Sequence, residues 1–173
     1  SRGTNKAVAV FVSSPDEATR IEALLTSGAQ PILANDRVAV LTGTMRGHER
    51  ELLLQRPAWR RLAADRTDEE CRETAVLIAT GAGEIGIDLD ADILLCDDVT
   101  LDRQIQRIGR CNRQGLGVGE VTIIASPKRD ANADYDQRKL IAVRMLQALP
   151  GLENGALDAS PRALTGLRSH PDY

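Results

Sequence analysis

Short apolar runs alternate with amphipathic segments along the chain, which is the pattern of strands that alternate with helices. Five runs are continuous enough to be strands covered on both faces, as the strands of a parallel sheet are. They occupy residues 6–12, 37–41, 74–79, 92–96 and 119–125. The pattern therefore predicts a three-layer α/β domain, with a mainly parallel sheet of five or six strands flanked by helices.

Helices are predicted from apolar spacing and from capping residues. Ser14, Pro15 and Glu17 form a capping box with a proline in the first turn, so a helix is expected to begin at Pro15. Further helices are expected around residues 48–54 and over residues 135–149. The mixed sequence between the second and third strands is expected to form a loop or short helices.

Length and composition limit the class of protein. Residues 1–150 hold the alternating pattern and are expected to form one domain, whereas residues 151–173, rich in Gly, Pro, Ser and Ala, are expected to be a linker or the start of a following C-terminal segment. No apolar run approaches the roughly 20 residues of a membrane span, so a cytoplasmic protein without membrane contact is expected. The three cysteines lack ligand spacing, and no metal site is predicted.

Charge is segregated within the stretch that runs from the third predicted strand to the fifth. Residues 80–102 contain seven carboxylates and no Lys or Arg, and residues 103–113 contain four arginines and no carboxylate. A merely structural surface intersperses its charges in local ion pairs. We interpret the segregation as arginines that face an anion from outside this chain; a solvated basic face, or salt bridges to the neighbouring acids, is the alternative.

The spacing of the arginines predicts a shared face. If residues 101–113 form one helix, then Gln106, Arg110 and Arg113 lie at i, i+4 and i+7. Two guanidinium groups one turn apart suit the oxygens of a polyphosphate, because each offers a planar fork of donors.

Glycines before this helix imitate a dinucleotide-binding motif. Gly81, Gly83 and Gly86 fit GxGxxG, but the motif requires a helix to begin in the loop, and only six residues separate Gly86 from Ile93 in the next strand. A crossover with a helix needs at least about 10–12 residues. The sequence also lacks GxxxxGK[ST], so the chain alone is not expected to hydrolyse a nucleotide.

Several of these segments resemble the motifs of superfamily 2 helicases. Thr80, followed after five residues by Gly86-Ile87-Asp88, resembles motif V, and residues 106–113 (QRIGRCNR) resemble motif VI. The end of the first strand resembles motif IV, and residues 41–45 together with Arg50 resemble the small motif that follows the second strand.

The acidic run indicates which branch of superfamily 2 the sequence resembles. Glu84 with the alternating aspartates of residues 88–92 is similar to the E-x-S-L-D-x-D-x-D run of the CRISPR-associated helicase-nuclease of type I interference systems. Gly86 stands where that family often has Ser, and Gly81 where it often has Gln, so a restriction-type or RNA-directed helicase stays open.

The resemblance implies the second RecA-like (P-loop NTPase-type) domain of a helicase, whose ATP site is a cleft between two such domains. Arg110 and Arg113 would be arginine fingers on the γ-phosphate, Gln106 would monitor the nucleotide, and Gly86 and Asp88 would contact it. ATP with Mg²⁺ would be bound mainly by the preceding RecA-like domain, which this resemblance implies as a partner.

The resemblance also implies a track for single-stranded nucleic acid, with DNA favoured. Its contacts would come from Ser13, Ser14, Thr44, Arg50 and Thr80, whose hydroxyl and guanidinium groups suit binding to phosphates regardless of sequence. A CRISPR surveillance complex is a further implied partner. The alternative class is a catalytically silent module of the same fold that binds nucleic acid or protein.

Overall fold

A five-stranded sheet lies at the centre of the structure, a computed structural model that describes residues 5–43, 45–67, 72–84, 87–126, 130 and 133–173. Its strands run in the order β2-β3-β1-β4-β5, and every neighbouring pair is parallel. The strands are β1 (Ala7–Phe11), β2 (Val38–Leu41), β3 (Ala75–Ala79), β4 (Ile93–Asp97) and β5 (Glu120–Ile124). The predicted α/β fold with a parallel sheet is confirmed.

The helices are short, and the longest one follows β5. They are α1 (Pro15–Thr26), α2 (Gly47–Leu54), α3 (Pro57–Leu62), α4 (Leu101–Ile108), α5 (Asp134–Gln147) and α6 (Pro161–Gly166). Single 3-10 turns occupy Asn35–Arg37, Gly81–Gly83 and Leu167–Ser169.

Alternation of side chains along the strands creates the layers. In β1, Ala9 and Phe11 belong to the core under α3, whereas Val10 points to the opposite face, where Ala18 of α1 is buried. Every residue of β3 is buried, as expected for a central parallel strand covered on both sides. Burial of each Leu or Ile side chain in these layers contributes roughly 1.5–3 kcal/mol relative to exposure.

The capping box at the start of α1 forms as predicted. The Glu17 N–H donates to the Ser14 hydroxyl oxygen at 3.2 Å, and the Ser14 N–H donates to the Glu17 carboxylate at 3.2 Å. Pro15 occupies the first turn. This cap fixes where the chain leaves the carboxyl end of β1.

The helix predicted over residues 101–113 is too long, because α4 ends at Ile108. After Gly109 the N–H groups of Arg110 and Cys111 donate to carbonyl oxygens three residues back, at 2.9 and 3.0 Å, which tightens the chain into a turn. Asn112 then adopts a left-handed φ of 46°. The shared helical face predicted for Gln106, Arg110 and Arg113 is therefore wrong.

A bridge to the segment before β4 accounts for this early ending. The Ala91 N–H donates to the Arg110 carbonyl at 2.8 Å, and the Asn112 N–H donates to the Ala91 carbonyl at 2.8 Å. These bonds satisfy backbone groups that a continued helix would have paired internally. Asn tolerates the left-handed region because its short side chain bonds locally, here to the Gly117 carbonyl at 2.7 Å.

Residues 81–84 and 87–92 connect β3 to β4 without a crossover helix. A single 3-10 turn spans Gly81–Gly83, and an isolated bridge joins Leu89 to Ala63. Among the described residues of this connection there is no helix whose N-terminus could face a pyrophosphate.

The segment after α5 folds back onto the domain. Leu164 in α6 and Leu167 are buried in one cluster with Ile108, Met145 and Leu149. An isolated bridge between Gly151 and Leu157 precedes α6. The domain boundary at residue 150 stays a prediction.

Candidate functional site

The β3–β4 connection and the turn after α4 meet at one place on the surface. A terminal N–H of Arg110 donates to the Glu84 carbonyl at 2.7 Å, and Arg113 Nε lies 2.9 Å from the Asp88 carboxylate. Asp88, Arg110 and Arg113 line a cavity of about 290 Å³ together with Ile87. Although α4 does not align them, the turn brings the two arginines predicted as fingers beside the acid predicted to contact the nucleotide.

The charges around this cavity favour an added anion. Burial lowers the pKa of Arg110, the positive charge of Arg113 lowers it further, and Asp88 opposes the shift. Because a guanidinium stays protonated at neutral pH, this lowered pKa means that its charge is held at an electrostatic cost. Arg110 Nε is buried and has no hydrogen-bond partner among the described residues. A bound anion would relieve part of that cost.

The ion pair between Arg113 and Asp88 is exposed to solvent. The Arg113 side chain is 47% exposed and the Asp88 side chain 71%. Exposed pairs of this kind contribute about 0–1 kcal/mol. Arg113 can therefore exchange Asp88 for another anion at small cost.

A second cavity is also lined by Asp88. Its volume is about 310 Å³, and it shares Ile87 and Asp88 with the first cavity. Arg50, predicted to contact nucleic acid, lines it and so lies near Asp88. The other lining residues are Leu54, Trp59, Arg60, Ala63 and Asp65.

Glu84 joins the β3–β4 connection to α4. Its carboxylate accepts two hydrogen bonds from Arg103, both at 2.8 Å, and one from Arg107 at 2.8 Å. For Arg103 and Arg107 the prediction of an external anion is wrong, and the alternative of salt bridges to nearby acids holds. The i, i+4 spacing of Arg103 and Arg107 could have indicated this pairing, because it places both side chains on one helical face where they can share a partner.

Arg107 and Ser13 meet at Asp97, which the sequence did not single out. Arg107 is fully buried, contacts both the carbonyl and the carboxylate of Asp97, and lies 5.2 Å from the centroid of the Phe11 ring. The Ser13 hydroxyl donates to the other Asp97 oxygen. Ser13, a predicted nucleic-acid contact, is thereby linked to α4 through one carboxylate.

The other predicted residues occupy different surroundings. Ser14 and Thr80 follow the carboxyl ends of the adjacent strands β1 and β3, but the Ser14 hydroxyl caps α1 and Thr80 is buried. Gln106 is exposed on α4. Thr44 and Gly86 lie outside the described residues.

Some predicted absences concern only part of the chain. Within the ranges described, no group of three or more His, Cys, Asp or Glu side chains is placed to hold a metal ion. No helix in those ranges has the length and apolar character needed to cross a membrane. Cys96 and Cys111 take part in no disulfide among the described residues, and Cys71 lies outside them.

The carboxyl of Glu84 makes the stability of this site depend on pH. Burial would raise its pKa, but hydrogen bonds and charge from Arg103 and Arg107 outweigh burial and hold the pKa below its ordinary value of 4.5. A group with a depressed folded-state pKa contributes stability that is present above its unfolded pKa and is lost as pH falls through the folded pKa. The loss therefore begins near pH 4.5 and continues below it.

We expect Glu84→Gln to be less stable than the wild type at pH 7, with a difference that shrinks as the pH falls below 4.5. Urea denaturation of the chain between pH 3 and pH 7 measures this difference. Glu153→Gln, at an exposed position, is the matched control and should leave the pH profile unchanged. A difference between Glu84→Gln and the wild type that stays constant with pH would contradict the assignment.

Comparisons with known proteins agree with the fold and the motifs. The sequence model of the family described as CRISPR-associated nuclease/helicase Cas3, C-terminal, matches residues 4–116. No curated protein matches the sequence. Crystal structures of T. fusca Cas3 and T. fusca Cas3-ATP superpose with TM-scores of 0.65 and 0.66, at 19% and 20% identity. They cover 92% and 93% of this chain, and 19% of the chain of each relative.

A third similar structure is an assembly. A chain of a CRISPR RNA-guided surveillance complex, pre-nicking, superposes with a TM-score of 0.60 at 18% identity, and the match covers 92% of this chain and 20% of that chain. Identities this low show the fold alone, which is RecA-like. This chain spans about a fifth of the length of the relatives it matches.

Proposed function

We propose that this chain, which belongs to the family of C-terminal domains of the CRISPR-associated nuclease/helicase Cas3, is the second motor domain of an ATP-dependent helicase. The observation that carries the proposal is the cavity where Asp88, Arg110 and Arg113 meet. Two guanidinium groups face one exposed carboxylate there. The positive charge therefore exceeds the negative charge, which favours binding of a further anion. The sequence lacks GxxxxGK[ST], and in our proposal the preceding RecA-like domain presents the triphosphate.

In the proposed mechanism, Arg110 and Arg113 approach the γ-phosphate when the two domains close. Positive charge at that point stabilises the charge that develops on the transferred phosphoryl group, an effect worth about 10³–10⁵ in rate in nucleotide hydrolases. Arg113 would leave Asp88 to do so. Gly86 and Asp88 would contact the nucleotide, Gln106 would monitor it, and Mg²⁺ would accompany ATP on the first domain.

A continuous chain of contacts supports coupling between the nucleotide and a nucleic-acid strand. Arg110 contacts Glu84, Glu84 contacts Arg107, and Arg107 reaches Asp97, to which Ser13 also donates. Ser13, Ser14, Thr44, Arg50 and Thr80 would contact the phosphates of single-stranded DNA. We infer that closure on ATP shifts the Ser13 end of this chain of contacts and so links hydrolysis to movement along the strand.

The partners follow from the same proposal. They are the preceding RecA-like domain, single-stranded DNA, and a CRISPR surveillance complex like the one in which a structurally similar chain occurs. A restriction-type helicase of superfamily 2 would share the first two partners, whereas an RNA-directed helicase would share the preceding domain and bind RNA. A catalytically silent module is the second candidate, favoured by the internal partners that Asp88 and Glu84 provide to Arg113 and Arg110.

We expect the isolated chain to hydrolyse no ATP and to bind single-stranded DNA weakly, with an affinity that falls as salt rises. Joined to its preceding domain, it should hydrolyse ATP in a strand-dependent manner. A phosphate-release assay with and without DNA measures ATP hydrolysis, and fluorescence anisotropy over a salt series measures binding of single-stranded DNA. Turnover by the isolated chain, or none by the joined protein with DNA, would contradict the proposal.

A further inference from the structure

Asp90 lies between the proposed finger Arg113 and Arg66, an arginine after α3 whose side chain is 7% exposed. It is fully buried, and its Oδ1 accepts the Arg113 backbone N–H at 2.7 Å. Its Oδ2 accepts from an Nη2 of Arg66 at 3.0 Å, and its carbonyl oxygen accepts from the other terminal nitrogen of Arg66. One residue thus ties the backbone of Arg113 to Arg66.

The neighbouring backbone strengthens this attachment. Asn112, just before Arg113, donates its N–H to the Ala91 carbonyl at 2.8 Å, and the Asp90 N–H donates to the Leu62 carbonyl at 2.9 Å. The turn that carries Arg113 is therefore attached to the last residue of α3 and to Arg66 beyond it. The Arg113 side chain, by contrast, pairs among the described residues with the exposed carboxylate of Asp88. Its backbone is fixed while its guanidinium can move.

We propose that Asp90 and Arg66 are positioning residues that fix the backbone from which Arg113 reaches the nucleotide. The proposal rests on the function proposed above. A finger can stabilise a transition state only if its guanidinium arrives at the right place, and an error of about 1 Å can cost on the order of 10²-fold in rate. An anchored backbone with a mobile side chain allows such accurate placement, because the guanidinium can exchange Asp88 for phosphate while the Arg113 backbone stays in place.

The chain offers a matched control at Asp92. Its Oδ2 accepts the Ala7 backbone N–H at 2.9 Å and lies 3.0 Å from Arg61 Nη2, and both side chains are buried. Like Asp90, Asp92 is a buried carboxylate that accepts a backbone N–H and pairs with an arginine, but one oxygen accepts both bonds, and its Oδ1 lies 3.9 Å from Arg66 Nη2. The difference is that Asp92 anchors the start of β1, and Asp90 anchors Arg113.

The test uses the full-length protein, with ATP hydrolysis and thermal unfolding measured on Asp90→Asn and Asp92→Asn. An asparagine has one acceptor oxygen, so Asp90→Asn loses either the bond to Arg113 or the bond to Arg66. We expect Asp90→Asn to lower kcat at least about 10-fold with little change in KM for ATP, while Asp92→Asn, which also removes one buried carboxylate charge, stays within about 2-fold of the wild-type kcat. Thermal unfolding measures how much stability each variant loses.

A double variant separates positioning from general destabilisation. On an Arg113→Ala background, Asp90→Asn should lower kcat no further, because Asp90 acts through Arg113. Arg66→Lys, a milder change, should lower kcat in the same direction and keeps the test informative if Asp90→Asn fails to fold. A kcat that falls equally in Asp90→Asn and Asp92→Asn, an additive double variant, or an unaffected Arg66→Lys would overturn the proposal.

Failure of this inference is distinguishable from failure of the proposed function. If Arg113→Ala keeps wild-type hydrolysis, the finger assignment itself is wrong. If Arg113→Ala loses hydrolysis while Asp90→Asn and Arg66→Lys do not, only the positioning role is wrong.

Discussion

Replacing Arg110 or Arg113 by alanine in the full-length protein is expected to reduce ATP hydrolysis by roughly 10³-fold or more. The reason is electrostatic: each guanidinium would face charge that grows on the γ-phosphoryl group as the bond to the leaving group breaks. A loss of 10³-fold corresponds to about 4 kcal/mol of transition-state stabilisation. A steady-state assay of phosphate release at saturating single-stranded DNA measures the effect.

The kinetic signature is more specific than the loss itself. Because the arginines act on charge that develops in the transition state, kcat should fall much more than the affinity for ATP. Arg113→Lys should recover only part of the rate, since an ammonium group lacks the planar fork that contacts two phosphate oxygens. Binding of single-stranded DNA should change little, because neither arginine is among the proposed strand contacts.

Two controls separate this result from loss of folding or of charge. Arg138→Ala removes one positive charge from an exposed pair with Asp134 on α5 and should leave hydrolysis unchanged. Thermal unfolding should show a small loss for Arg113→Ala, whose pair with Asp88 is exposed, and a larger loss for Arg110→Ala, which also loses the bond to the Glu84 carbonyl. Wild-type hydrolysis by either finger variant would favour the catalytically silent module.

The centre of the sheet could be predicted from sequence because its strands are largely buried, whereas alternate residues of the edge strand β5 are exposed. Covered strands read as continuous apolar runs, and β3 has no exposed residue at all. The start of α1 was equally readable, because a capping box is a local motif whose partners are three residues apart. Features determined within one strand or one helical turn were therefore accessible without the structure.

The end of α4 could not be predicted because distant backbone groups determine it. Spacing favoured a helix through Arg113, but the Ala91 segment, about twenty residues earlier, pairs with Arg110 and Asn112 instead. Gly109 inside the predicted helix was a weak signal, since glycine costs roughly 1 kcal/mol relative to alanine there. The motifs assigned Arg110, Arg113 and Asp88 to one nucleotide site by resemblance, and the structure places the three side chains around one cavity. The helical face predicted from spacing was wrong.

The segregation of charge in sequence also hid the pairing in space. Asp90 and Asp92 belong to an acidic run that has no Lys or Arg nearby in sequence, yet they bind Arg66 and Arg61, which precede residues 80–113. Glu84 precedes its partners Arg103 and Arg107 by about twenty residues. Counting charges along the sequence cannot detect ion pairs between residues that only the folded chain brings together.

Arg107 is the arginine for which burial matters most. Its side chain has no exposed surface, and it contacts the carboxylates of both Glu84 and Asp97 as well as the face of Phe11. Removing one partner of a buried ion pair is strongly destabilising. Although Glu84 would keep its two bonds from Arg103, Asp97 would lose Arg107, and the buried volume of the Arg107 side chain would become a cavity. Arg103 shares Glu84, but its side chain is 38% exposed, so water can replace its contacts.

Arg107→Ala is therefore expected to lower the free energy of unfolding by about 3–5 kcal/mol, and Arg103→Ala by about 1 kcal/mol or less. The first loss is a large part of the roughly 5–15 kcal/mol that stabilises a typical domain. Urea denaturation of the chain measures both, and Arg107→Lys should fall between them because it keeps the charge but loses the fork. Equal losses in the two alanine variants would show that Arg107 acts as an ordinary surface pair and that α4 is held to β4 by its apolar side chains alone.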